Sequence, residues 1–105
     1  MSRRDAHSLL VRALQQRGGG ADHVSVDEGR SEAWASATFR GARHHLALSF
    51  LGEDASARAE RLAGDMDAIE FRLPGHLVAD ITVTAREDGP EGVSLAIEAL
   101  TVEEA

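Results

Sequence analysis

A chain of 105 residues with 43% apolar and 28% charged side chains has the size and composition of one globular domain, which excludes two independent cores and a disordered chain alike. It has no Cys and no Lys, which removes disulfides, thiolate nucleophiles, Cys-ligated zinc, Schiff bases and the P-loop lysine. Its formal charge of −7, with eleven basic residues scattered along the chain, repels a phosphate backbone and argues against nucleic acid as a partner.

At the N-terminus, Ser2-Arg3-Arg4 is similar to the start of a twin-arginine signal, but Arg12 interrupts the apolar run Leu9-Leu10-Val11, so no signal peptide is read. Instead, Ala6, Leu9, Leu10, Ala13 and Leu14 recur at helical spacing over residues 3–17, with Ser2 and Asp5 placed to cap the helix and Gly18 placed to end it. Gly18-Gly19-Gly20 follows this helix, at the end whose dipole disfavours anions, so it reads as a linker and not as a phosphate cradle. Val24 and Val26 then alternate as a short first strand.

The stretch from Ala33 to Phe50 reads as a hairpin turning at Arg40-Gly41-Ala42-Arg43, with Gly first in a type II′ turn. In that register Phe39, Ala37, Ala35 and Ala33 face His44, Leu46, Leu48 and Phe50, giving one apolar sheet face. The other face carries Trp34, Ser36, Thr38 and Arg40 against Ser49, Ala47, His45 and Arg43. A second helix is expected over residues 54–63, followed by a brief alternation at Ile69, Phe71 and Leu73 and a type II turn at Pro74-Gly75. Leu77, Ala79, Ile81 and Val83 should then form one strand face, with Val78, Asp80, Thr82 and Thr84 on the other. After a loop at residues 87–90, Val93, Leu95 and Ile97 make the last strand, with Leu100 and Val102 out of phase with them.

These elements describe an α+β two-layer sandwich: an antiparallel sheet of four to six strands, two helices on one face, in the order α-β-β-β-α-β-β. The second sheet face has no helix left to cover it, so water or another chain must. A helix followed by three strands and a helix also begins a double-stranded RNA-binding domain, but there the second helix should open on basic residues; here it opens on Glu53-Asp54.

Chemistry could come from the five His residues. His44 and His45 are adjacent on a strand and point to opposite faces, so they cannot share an ion; His44 reads as a partly buried, hydrogen-bonded imidazole and His45 as exposed. His76, Asp80 and Glu70 form the sharpest catalytic set: one His and two carboxylates, with His76 and Asp80 on the polar strand face and Glu70 across the turn. However, His76 and Asp80 would stand roughly 13 Å apart on an extended strand. No metal site and no cofactor are therefore expected.

Trp34 is the single Trp, and on the uncovered face it marks a contact residue. Thr38, His45 and Val78 extend the same candidate interface. The leading expectation is a non-catalytic binding or adaptor domain, homodimeric through the open sheet face, with a protein partner possible; the alternative is a small metal-dependent or acid/base enzyme built on His76, Asp80 and Glu70. The lack of Lys, Asn and Tyr beside abundant Ala, Gly and Arg fits a high-GC bacterial genome. No apolar run approaches the about 18 residues of a membrane helix, and the expected location is the cytoplasm.

Overall fold

In the computed structural model, which describes residues 5–104, the first helix begins where a side chain can satisfy a free amide. Asp5 is the N-cap, and its Oδ1 accepts the Ser8 N–H at 2.8 Å. Helix α1 (Ala6–Arg17) is closed by Gly18, whose N–H donates to the Leu14 carbonyl. The predicted cap Ser2 lies outside the described residues.

Strand β1 (Val24–Ala35) pairs antiparallel with β2 (Arg40–Leu51); helix α2 (Ala55–Asp65) runs into a 3-10 turn at Met66–Ala68; β3 (His76–Gly89) pairs antiparallel with β4 (Gly92–Glu103). The fold is α+β, in the order α-β-β-α-β-β, with a four-stranded antiparallel sheet arranged β1-β2-β4-β3. The two αββ halves join where β2 pairs with β4. Leu10 and Leu14 of α1 and Ala55, Ala59 and Leu62 of α2 share one cluster with Leu46, Leu48, Phe50, Leu95 and Ile97. Since strand side chains alternate between faces, both helices cover the same face and the other has no helix on it.

The strand count and two registers differ from expectation. The short strand at Val24 and the strand at Ala33 are one element, β1, bent by a bulge between Asp27 and Arg30. Gly29 makes that bulge possible: its φ is +58°, and a Cβ there would collide with the His45 carbonyl oxygen. Residues 69–73 add no strand, contributing only a bridge from Leu73 to His76 across the Pro74-Gly75 turn. In that turn the His76 N–H donates to the Leu73 carbonyl at 2.9 Å and Gly75 has φ +85°, as a type II turn requires.

The first hairpin turns at residues 36–39, not at Arg40-Gly41-Ala42-Arg43. The Ser36 N–H donates to the Phe39 carbonyl at 2.8 Å, and Ser36 Oγ accepts the Phe39 N–H at 3.0 Å, so a serine hydroxyl closes the loop that glycine was expected to form. Gly41 serves packing instead: a Cβ would strike the Thr101 carbonyl oxygen and come within 2.9 Å of two Trp34 ring carbons. Phe39 and Ala37 consequently sit in the loop, Phe39 is 56% exposed, and Ala33 and Ala35 extend beyond the helices' cover. In the second hairpin the strands continue to Gly89 and resume at Gly92, leaving Pro90-Glu91 as the loop.

Candidate functional site

Positions on β2 and β4 that alternate with the core residues define the open face. Its rows run across all four strands. Trp34, Gly41, Val102 and Leu77 form one row; Glu32, Arg43, Leu100 and Asp80 the next; Arg30, His45, Glu98 and Thr82 the third. Beyond these the face is small and polar, with Ala47 beside Ala96 and Ser49 beside Ser94. Leu51, 50% exposed beside Gly92, stands alone at the far end, and the apolar group is at the other, where Leu77 stands 56% exposed beside Val102 and Leu100.

Trp34 lies on this face, with its ring against Gly41. It is half-buried, and its indole Nε1 is shielded from water with no hydrogen-bond partner among the described residues. His45 is also on the face, but between carboxylates: Nε2 is 3.9 Å from Glu32 Oε1 and Nδ1 is 3.7 Å from Glu98 Oε1. Thr38 is displaced to the hairpin loop, because the turn sits there. Val78 pairs with Thr101 and packs against the core, so it belongs to the helix side.

The cause at Val78 is a bulge between Val78 and Asp80, which slips the alternation of β3 by one residue. Leu77 thereby leaves the expected core face and Asp80 keeps the open one, while His76, paired with Glu103, moves to the helix side. His76 and Asp80 are thus on opposite faces. Glu70 is exposed and lies 3.9 Å from Arg72; it and Asp80 line one hollow of about 360 Å³ that His76 does not reach. The catalytic set is not assembled, and among the described residues no three His, Cys, Asp or Glu side chains are grouped to hold a metal ion.

A different His pair is assembled on the covered side, below the apolar end. His44 is completely buried. Its Nδ1 is 2.9 Å from His7 Nδ1, and its Nε2 is 2.8 Å from Thr101 Oγ1; His7 Nε2 is 2.8 Å from the Glu28 carbonyl oxygen. A carbonyl only accepts, so neutral His7 carries its proton on Nε2 and presents a lone pair at Nδ1. His44 must then donate from Nδ1, and its Nε2 accepts from the Thr101 hydroxyl. The longer contact from Thr101 Oγ1 to the Ala42 carbonyl, 3.4 Å, is the hydroxyl's alternative. Burial, and next the neighbouring His7, push the His44 pKa down to about 4, against which Asp5 acts in the opposite direction.

Sequence reading missed His7 as a partner because the contact spans 37 residues, and the Glu28 carbonyl that fixes the other side of its ring lies within the β1 bulge. The relevant signal was His7 at helical spacing beside core positions Ala6 and Leu10, where a solvated residue would be free to be anything. Compared with known proteins, the chain matches no family model, no curated protein and no solved structure.

Proposed function

We propose that this chain is a non-catalytic binding domain that acts as a homodimer, burying its open sheet face against a second copy. The observation that carries this reading is the apolar row of Trp34, Val102 and Leu77, with Leu100 beside it, on a face that no helix covers. Single exposed apolar residues are common on surfaces, whereas a contiguous group is the mark of a contact. Four strands of this length present a face on the order of 700 Å², close to the about 800 Å² that each partner buries in a specific interface.

Edge pairing is the rival mode of association, and both edges discourage it. β1 carries its bulge with Asp27, Glu28, Arg30 and Glu32, and β3 carries two bulges with Arg86, Glu87 and Asp88; bulges and charges are the devices that keep edges apart. On the face, β3 and β4 contribute Asp80, Glu87 and Glu98, whereas β1 and β2 contribute both signs, including Arg30 and Arg43. A twofold axis along the strands brings the acidic half of one copy over the mixed half of the other. In this reading the dimer is a cytoplasmic, bacterial binding module that needs no cofactor. A protein partner would use the surfaces that the dimer leaves free.

Sedimentation equilibrium of the Leu77→Arg variant tests the interface. Because Leu77 is 56% exposed, the substitution should leave the fold intact and weaken self-association about tenfold or more. An unchanged association constant contradicts the proposed face.

A further inference from the structure

A hollow of about 570 Å³ is on the helical layer, between the end of α1 and the face of α2. Three guanidinium groups border it. Arg17 comes from the last turn of α1, and Arg58 and Arg61 stand three residues apart on α2, spacing that places them on one helix face. Arg58 is held close to the loop, since a Cβ on Gly19 would collide with its Nη1. Leu62 and Ile69 give the hollow an apolar wall.

Among the described residues, the arginines within 4.0 Å of a carboxylate are Arg30, Arg72 and Arg86, and the three around the hollow are not among them. Asp65 and Glu70 also border the hollow, yet neither reaches these guanidinium groups, and Glu70 is turned to Arg72. In a chain of net charge −7 with only eleven basic residues, three arginines against the carboxylates of Asp65 and Glu70 leave this hollow a positive lining, which attracts an anion.

We propose that this hollow binds a small compound carrying two or more closely spaced anionic oxygens and a short apolar portion. Guanidinium forks match the oxygens of a phosphate or a carboxylate, their full charges outweigh the roughly half negative charge of the α1 C-terminus that by itself disfavours an anion, and Leu62 and Ile69 take the apolar part. The site is on the opposite layer from the sheet face and stands or falls independently of the dimer.

Calorimetric titration of the full chain with pyrophosphate, and separately with citrate, is the test. Saturable one-to-one binding of either, with a dissociation constant below about 1 mM, is the expected result; preference for pyrophosphate assigns a phosphate-bearing ligand and preference for citrate a polycarboxylate. Arg61→Gln, at an exposed position, should weaken binding about tenfold, Arg17→Gln should do likewise, and Arg43→Gln on the sheet face should leave it unchanged. No heat with either anion at about 10 mM, or affinity indifferent to both Arg61→Gln and Arg17→Gln, overturns the proposal.

Discussion

His44 is the residue at which burial, hydrogen bonding and charge meet. With a folded-state pKa near 4 against an ordinary 6.5, the folded protein binds fewer protons than the unfolded chain throughout that interval. Stability is therefore full above about pH 6.5 and falls as the pH drops through the window toward 4. Between pH 7.5 and 5 this one group should remove about 2 kcal/mol, measurable by urea denaturation at the two pH values. His44→Leu should flatten that part of the dependence, and an equally steep profile in the variant would mean that other groups cause it. Thr101→Val retains the shape but removes the hydroxyl that His44 Nε2 accepts from, and should cost about 1 to 3 kcal/mol. The expectation for His44 itself, a hydrogen-bonded imidazole facing the core, was legible because Leu46, Leu48 and Phe50 share its parity on the strand. Its partners were not, since neither a 37-residue nor a 57-residue separation leaves any periodic trace.

At the level of elements, the bulges decide what the sheet presents. Helices α1 and α2, the core strands β2 and β4 and the phase of Leu100 and Val102 follow from simple alternation and helical spacing. β1 and β3 do not, because β1 carries one extra residue and β3 two, which alternation cannot register: Gly29 bends β1, and the slip after Val78 sends Leu77 outward. The same slips explain why His76 and Asp80 part and why Val78 faces inward. Gly29→Ala should be costly, about 2 kcal/mol or more, because a left-handed backbone and a collision with the His45 carbonyl act together. Leu48→Ala in β2, fully buried, should cost about 2 to 5 kcal/mol. Thermal or chemical denaturation reads both. A neutral Gly29→Ala would show that the bulge is not needed. Off the core, Arg86 bonds Asp88 at 2.8 Å and Glu60 at 3.2 Å, tying the end of β3 to α2, and its hydrogen bond holds the Asp88 carboxyl below the usual range.

At the scale of the whole molecule, two long hairpins outrun two short helices, and the two layers offer different surfaces. The helical layer holds the arginine-lined hollow; the sheet layer holds the apolar row. Among the described residues no helix is long and apolar enough to cross a membrane. That one sheet face would lie uncovered was legible from the count of helices, and so were its occupants Trp34, His45 and Leu100, whereas Leu77, Val78 and Thr38 were moved by bulges and by the true turn. The central claim, that this face is buried against a second copy, is tested most directly by multi-angle light scattering of the chain at micromolar concentration. The account predicts a particle of twice the 11.2 kDa chain mass that reverts toward the single-chain mass in Leu77→Arg; a mass of one chain for the unaltered protein at every concentration would contradict it.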